Sequence, residues 1–243
     1  MSKGLSWMCG IVLVFALCLK CSRPEAEETT VLEVAIVETQ DTQTRLQGID
    51  VSHFSGEVDW RAVAQTGIHF AFSKATEGDD FVDPTFQGNW QQKKAHNIIR
   101  GAYHFYVVDD DPQLQAQNFI NTVNLEPGDL PPVVDIEKAG ILKGEALAIN
   151  LKVWLELIEA HYDIQPIIYT DNHFWDQNIQ GDFSKYHLWI AEFETDAVTL
   201  PEGFLQWKFW QFQSDSPVEG VPKGADLNHF NGGMEELAAL LLK

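Results

Sequence analysis

The chain has 243 residues, of which 45% are apolar and 21% are charged, a balance typical of a globular protein with a sizeable core. Its 36 acidic residues outnumber 16 basic ones and give a formal net charge of −20, which argues against nucleic acid or an anionic membrane surface as the main partner. The three cysteines, Cys9, Cys18 and Cys21, all lie near the N-terminus. This placement excludes cysteine proteases, thiolate metal sites and disulfide scaffolds for the rest of the chain.

Residues 1–21 have the pattern of an export signal. Lys3 precedes a largely apolar run over residues 7–19, which is shorter than the roughly 20 residues that span a bilayer. Cys21 follows this run and is a candidate for lipidation, which would tether the protein to a membrane. The alternative is an ordinary secretory signal. We therefore expect an exported protein, either secreted or lipid-anchored at the cell envelope.

Residues 22–45 are predicted to form an acidic linker. This stretch is polar except for a short apolar segment at residues 31–37 and has the composition of a solvated tether. Residues 46–243 contain no internal repeat and no low-complexity tract. We expect them to fold as one domain and the protein to be a monomer.

Residues 46–243 alternate between predicted strands and predicted helices. Strands are expected at residues 46–51, 68–74, 98–106, 131–136, 166–170, 187–193 and 208–212, with a short last piece near Asp226. Helices are expected at residues 58–66, 83–97, 111–123, 144–162, 172–179 and 233–242. This alternation indicates βα units and a mostly parallel sheet. The predicted fold class is α/β, a single TIM-like β/α barrel with irregular final strands that lack full helices.

Four acidic residues share one kind of position in this pattern. Asp50 ends the first predicted strand, Asp135 and Glu137 end the fourth, and Asp226 ends the last. The C-terminal strand ends of an α/β barrel converge on one face, which holds the active site. Acidic residues at the ends of apolar strands are costly to bury unless they have a partner or a task. The four carboxylates are therefore predicted to meet in one site.

The spacing of Asp135 and Glu137 favours acid–base chemistry. Two residues separated by one position in a strand point to the same side, so their carboxylates are predicted to be neighbours. Close like charges hold one proton more tightly than the other, which separates an acid from a base. Glycoside hydrolysis is the reaction class that most often uses such a pair. A divalent-metal site is the rival interpretation of a carboxylate cluster.

The chain resembles the glycoside hydrolase family 25 muramidases, which are lysozyme-type enzymes. The resemblance spans essentially all of residues 46–243, and its segments occur in the order Gly48-Ile49-Asp50-Val51-Ser52, Phe72-Ser73-Lys74-Ala75-Thr76-Glu77-Gly78, Arg100-Gly101-Ala102-Tyr103-His104-Phe105, Val133-Val134-Asp135-Ile136-Glu137, Ile168-Tyr169-Thr170, Leu188-Trp189-Ile190-Ala191, Trp210-Gln211-Phe212 and Asp226-Leu227-Asn228. One departure is Phe193, where the family often has tyrosine.

The resemblance implies hydrolysis of the β-1,4 bond between N-acetylmuramic acid and N-acetylglucosamine in peptidoglycan, with retention of configuration. It implies that Glu137 is the general acid/base and that Asp135 orients the substrate's 2-acetamido group, which acts as internal nucleophile. A direct carboxylate nucleophile is the alternative. The partner is then a peptidoglycan glycan strand, and no cofactor and no metal are expected.

The resemblance also implies a set of substrate-binding residues around the catalytic pair. Asp50 and Asp226 would line the same site, bind sugar and tune the charge of the pair. Tyr103, Tyr169 and Trp210 would contact or stack on the sugars.

Three other functions stay open from the sequence. A chitinase or endo-N-acetylglucosaminidase could use the same assisted chemistry on chitin. A non-catalytic cell-wall-binding module on a lipid tether would bind without hydrolysis, and a metal-dependent phosphodiesterase would lose activity in EDTA. The charge of the domain raises a further question, because 30 acidic and 12 basic residues over 46–243 should repel an anionic wall at long range.

Overall fold

The structure is a computed structural model that describes residues 45–243. The predicted signal at residues 1–21 and the predicted linker, except for its last residue, lie outside the described residues. Within the described range, no helix has the length and apolarity needed to cross a membrane.

The described chain alternates strands with helices through most of its length. Its strands are β1 (Leu46–Val51), β2 (Phe70–Glu77), β3 (Phe81–Val82), β4 (Ile99–Phe105), β5 (Val133–Asp135), β6 (Ile167–Asp171), β7 (His187–Ala191), β8 (Phe209–Val218) and β9 (Val221–Phe230). Its helices are α1 (Trp60–Val63), α2 (Phe86–Ala95), α3 (Pro112–Thr122), α4 (Gly144–Tyr162), α5 (Asn172–Asn178) and α6 (Met234–Leu240).

The strands close into a barrel in the order β1-β9-β8-β7-β6-β5-β4-β2, and β2 pairs with β1 to complete the ring. Strand β3 lies outside this ring and pairs antiparallel with β2. The pairings from β4 to β8 and the pairing of β2 with β1 and β4 are parallel. This closed sheet confirms the predicted TIM-like barrel, because parallel strands joined by helices curl into this shape.

Aromatic side chains fill the lower part of the barrel interior. Phe72 stacks on Trp189 with ring centroids 4.4 Å apart and meets the edge of Phe209 at 5.2 Å. Gly101 leaves room for these rings, since a Cβ there would lie 2.2 Å from Phe72 Cδ1. Gly48 likewise leaves room for the ring of Phe70. The interior is thus packed rather than open, and a cavity remains only towards the C-terminal strand ends.

The helices cover the outer face of the parallel strands. Helix α4 has the bounds predicted for it, and its fully buried side chains, which include Leu147, Leu151 and Trp154, form an apolar stripe. Helix α3 begins as predicted, with Asp111 accepting hydrogen bonds from two backbone N–H groups ahead of Pro112. These helices hold the parallel strands, and with them the strand ends, in a fixed arrangement.

The predicted end of the barrel differs from the structure. The short strands expected at residues 208–212 and near Asp226 are two ten-residue strands, β8 and β9, that form an antiparallel hairpin. Gly220, with φ of 90°, provides the turn between them. The outer halves of these strands are polar and irregular in register. They therefore lack the alternation of apolar residues by which a strand is predicted from sequence. Backbone pairing between the two strands is sufficient to extend the hairpin beyond the barrel rim.

Candidate active site

A cavity of about 350 Å³ opens at the C-terminal ends of the barrel strands. The inward positions of alternating residues on several strands supply its walls. Its lining residues are Asp50, Ser52, Phe54, Lys74, Glu77, Tyr103, Phe105, Asp135, Glu137, Lys138, Tyr169, Trp189, Gln211 and Asp226. The structure therefore brings all four predicted carboxylates into one cavity, together with both predicted tyrosines.

Asp135 is the last residue of β5 and is buried at the base of the cavity wall, with 8% of its surface exposed. Its Oδ1 atom has no hydrogen-bond partner among the described residues. Burial, and then the negative charges of Glu137 and Asp50, raise the pKa of its carboxyl well above the ordinary value. A buried carboxylate oxygen without a partner is costly, and a bound substrate N–H can satisfy it.

Glu137 follows Asp135 by two residues and is only partly buried, so its carboxyl group reaches the open part of the cavity. Burial is the main cause that raises its pKa above the ordinary value, while the nearby ammonium group of Lys138 lowers it. The charges of Asp171 and Asp226 raise the pKa further. A raised pKa suits a glutamic acid to general acid catalysis, because the group keeps its proton to a higher pH than an ordinary glutamate.

Asp50 lies deeper, at the seam between β1 and β9. Its Oδ2 atom accepts hydrogen bonds from Gln211 Nε2 at 2.9 Å and Asn228 Nδ2 at 2.8 Å. Burial, and next the charge of Asp226, raise the pKa of Asp50 to about 8. The group is therefore largely protonated at neutral pH, and its neighbours fix its orientation.

Asp226 reaches the site from a different position than the sequence predicted. It does not end the last strand but lies inside the antiparallel strand β9, directly opposite Asp50 on β1. Its Oδ1 atom accepts a hydrogen bond from the backbone N–H of Asp215 at 2.8 Å. Burial raises its pKa above the ordinary value. The pairing of β1 with β9 thus places two carboxyl groups side by side, although β9 runs in the opposite direction.

The two predicted tyrosines both line the cavity. The Tyr169 hydroxyl donates a hydrogen bond to Gln211 Oε1 at 2.8 Å and so fixes the amide that holds Asp50. Burial, reinforced by the surrounding carboxylates, raises the pKa of Tyr103 and of Tyr169 well above the ordinary value. Both phenols stay neutral and can donate hydrogen bonds to sugar hydroxyls.

Trp210 does not lie in this cavity. It is 4% exposed, packs with the helix-side core and donates a hydrogen bond from Nε1 to the carbonyl of Glu192 at 2.7 Å. Strand β8 points the neighbouring residues Phe209 and Gln211 into the barrel, so Trp210 points outwards. The indole that lines the cavity is Trp189 on β7, which the sequence analysis did not select.

Several site residues were missed or left undecided by the sequence analysis. Trp189 Nε1 donates to Asn228 Oδ1 at 2.8 Å, and Asn228 in turn donates to Asp50, which links three strands in one hydrogen-bond chain. Gln211 contacts both Asp50 and Asp226. Strand alternation could have identified these residues. Each lies an even number of residues from an inward-facing residue of its own strand, and such residues point to the same side.

Lys74 is part of the cavity rather than a surface lysine. It is 6% exposed and forms an ion pair with Glu77, the last residue of β2. Its charge lowers the pKa of Asp135 and of Glu137 and so opposes the effect of burial. No group of three or more His, Cys, Asp or Glu side chains in residues 45–243 has the arrangement needed to hold a metal ion.

Comparisons with known proteins identify the family to which the chain is similar. The family model of Glycosyl hydrolases family 25 matches residues 49–221. The uncharacterized protein YegX of Escherichia coli strain K12 is 37% identical over 202 residues, which cover 81% of this chain and 73% of that protein. Lysozyme M1 of Streptomyces globisporus is 34% identical over 208 residues, which cover 80% of this chain and 71% of that protein.

Two solved structures support the same relationship. A family 25 glycosyl hydrolase from Bacillus anthracis superposes with a TM-score of 0.74 at 33% identity and covers 80% of this chain and 92% of its own. The bacterial lysozyme from Streptomyces coelicolor gives a TM-score of 0.73 at 31% identity, covering 80% and 96%. The predicted fold, family and lysozyme-type class of enzyme are therefore confirmed. The chain belongs to glycosyl hydrolases family 25 and is a glycoside hydrolase.

Proposed function

We propose that this protein is a muramidase that hydrolyses the β-1,4 bond between N-acetylmuramic acid and N-acetylglucosamine in peptidoglycan, with retention of configuration. The observation that carries the proposal is the buried Asp135 Oδ1 atom, which has no hydrogen-bond partner within residues 45–243, beside the partly exposed Glu137. One carboxyl group is thus available to bind a substrate N–H, and the other is available to transfer a proton. The lysozyme and muramidase relatives support the same substrate.

The first step breaks the glycosidic bond. Glu137 donates its proton to the glycosidic oxygen, and the 2-acetamido oxygen of the muramoyl residue attacks C1 on the opposite side. A bond forms between that oxygen and C1 while the bond from C1 to the leaving sugar breaks. Asp135 accepts the hydrogen bond of the acetamido N–H and stabilises the positive charge that develops on the ring.

The second step restores the enzyme. Glu137, now a carboxylate, takes a proton from a water molecule that attacks C1, and the acetamido group is released. Because C1 is attacked twice from opposite sides, its configuration is retained.

The electrostatics of the cavity fit this division of roles. Four neighbouring carboxyl groups cannot all ionise, since each negative charge raises the pKa of the others. Burial raises the pKa of Asp50 to about 8, so this group keeps its proton at neutral pH, and burial also raises the pKa of Glu137 above its ordinary value. Burial and the charges of Glu137 and Asp50 raise the pKa of Asp135 well above its ordinary value, so its anionic form depends on the ammonium groups of Lys74 and Lys138, which lower that pKa, and on the positive charge that develops on the substrate.

We propose further that the protein acts outside the cytoplasm, as a monomer, on glycan strands of the cell wall and without a nucleic-acid partner. The charge of Lys3, the apolar run at residues 7–19 and the net charge of −20 support this location and partner. Lipidation of Cys21 would then tether the enzyme at the envelope. The mass of the mature N-terminus distinguishes a lipid anchor from a cleaved secretory signal.

The test is release of reducing ends from purified peptidoglycan by the full-length protein, with the products identified by mass spectrometry. The parent should release muramic-acid reducing ends, and Glu137→Gln should lower the rate about 10³-fold. Glu156→Gln, an exposed position on α4, is the matched control and should match the parent. Activity retained in Glu137→Gln would overturn the assignment.

Two further measurements separate the alternatives. Product analysis on chitin oligomers tests the chitinase, and binding to sacculi without product tests the non-catalytic module. The anomeric form of the first product, followed by NMR, tests retention, because first release of the α-anomer would mean inversion.

A further inference from the structure

We infer that Lys138 is a specificity-determining residue that binds a carboxylate carried on the 3-O-lactyl arm of the muramoyl residue. This inference rests on the proposed function. Its ligand is the free lactyl carboxylate or a carboxylate of the peptide attached to the same arm.

The first observation is the position of two ammonium groups around one ring. Lys138 Nζ lies 5.0 Å from the centroid of Phe105, and Lys74 Nζ lies 4.6 Å from the same centroid. All three residues line the cavity. The ring face attracts both cations and holds them at one wall of the site.

The second observation is that the two cations differ in their partners. Lys74 is buried and already paired with Glu77. Lys138 is exposed, and within residues 45–243 no carboxylate lies within 4.0 Å of its ammonium group. Lys138 therefore retains its capacity to bind an anion that enters the cavity.

The third observation connects this cation to the substrate. Phe105 is the direct neighbour of Asp135 in the pairing of β4 with β5. Asp135 is the proposed partner of the 2-acetamido N–H, and the lactyl arm leaves the adjacent ring carbon. The arm therefore starts close to Asp135, and the wall formed by Phe105, Lys74 and Lys138 is within the same cavity. An ammonium group at this place also offsets the repulsion between an acidic domain and an anionic polymer.

The experiment compares glycan strands that differ only in charge on the lactyl arm. Amidase-treated strands carry free lactyl carboxylates, and the same strands coupled to methylamine carry neutral amides. We expect the full-length parent to cleave the free-acid strands with a kcat/KM about threefold higher. This ratio corresponds to the free energy that an exposed ion pair contributes. Lys138→Met should abolish this ratio, and Lys138→Arg should keep it. The ratio should also shrink as salt is raised.

The ratio is the decisive readout because removal of the Lys138 charge also raises the pKa of Glu137, an effect common to both strands. Lys143→Met, an exposed lysine that does not line the cavity, is the matched control and should keep the parent ratio.

A third substrate, glycan that retains its stem peptides, separates the two sources of the carboxylate. A loss in Lys138→Met confined to that substrate identifies the peptide carboxylates as the ligand. Equal cleavage of all three substrates by the parent, or Lys138→Met keeping the parent's relative rates on all three substrates, would overturn the inference. Failure of the parent to release muramic-acid reducing ends from any substrate would instead overturn the proposed function.

Discussion

The two sides of the barrel bring carboxyl groups to the cavity in different ways. On the parallel side, β5 ends at Asp135 and the chain continues to Glu137, and helices pack behind the strands. On the opposite side, β1 and the antiparallel strand β9 present Asp50 and Asp226 from paired positions within the ladder. The same cavity thus joins carboxyl groups from the C-terminal ends of β1 and β5 to Asp226, which lies inside a strand of the opposite direction.

The two sides also differ in how fully their oxygens are hydrogen-bonded. Asp50 accepts bonds from Gln211 and Asn228, and Asp226 accepts one from the backbone of Asp215. The Oδ1 atom of Asp135, in contrast, has no partner in the described part of the chain. This difference supports the proposal that the parallel side contacts the reacting groups, whereas the antiparallel side sets the charge and geometry around them.

The largest effect that tests this comparison is expected at Asp135. Asp135→Asn removes the negative charge that stabilises the developing positive charge, so kcat/KM on peptidoglycan should fall about 10³-fold. Asp196→Asn, at an exposed position distant in sequence from the site residues, serves as the control and should keep the parent rate. A loss of less than tenfold at Asp135 would refute its contact with the substrate.

A smaller effect is expected on the antiparallel side. Asp226→Asn keeps an oxygen that can accept the Asp215 N–H but removes a neighbouring charge and the acceptor of a long hydrogen bond from Gln211, so kcat/KM should fall about tenfold. The measurement is steady-state hydrolysis beside Asp135→Asn under the same conditions. Equal losses in the two variants would show that the two sides share the chemistry.

The third prediction concerns stability rather than rate. The pKa of Asp50 is about 8 in the folded protein and 3.8 in the unfolded reference, so its stabilising contribution is complete below pH 4 and is lost as the pH rises through 8. Asp50→Asn should flatten the fall in the free energy of unfolding over that range by up to about 1.4 kcal/mol per pH unit. Urea unfolding at several pH values measures the slope, and parallel slopes for parent and variant would contradict the buried, protonated Asp50.

The smallest effects distinguish two tryptophans on neighbouring strands. Trp189→Phe removes the donor that orients Asn228 and should lower kcat/KM about fivefold. Trp210→Phe loses only its bond to the Glu192 carbonyl and should lower the free energy of unfolding by about 1 kcal/mol without changing kcat/KM. A larger kinetic loss in Trp210→Phe than in Trp189→Phe would restore the sugar-stacking role predicted for Trp210.

The sequence predicted the parallel part of the barrel well because each strand there is apolar on both faces and is separated from the next by a helix. Asp50, Asp135 and Glu137 could be placed from this pattern, since parallel strands share one C-terminal edge. Asp226 was predicted in the correct cavity for a wrong reason, because it does not end a parallel strand. The outer halves of β8 and β9 are polar, so their sequence does not indicate that β9 runs in the opposite direction.

The orientation of β8 could not be predicted from its own residues. Alternation separates Trp210 and Phe212 from Phe209, but both sets are aromatic and either could face inwards. The choice depends on register across the barrel, where Phe209 pairs with Trp189 and Gln211 pairs with Ala191. Such pairings join residues far apart in the sequence, so no local pattern contains them.

The pairing of Asp50 with Asp226 has a consequence for how the enzyme becomes active. This contact joins the first strand of the barrel to its last one, so the carboxyl pair is complete only when the ring is closed. Ring closure and completion of the catalytic cavity are therefore the same cooperative event. A chain that has folded part of its helices and strands lacks one wall of the cavity, and it cannot cleave glycan until folding is finished.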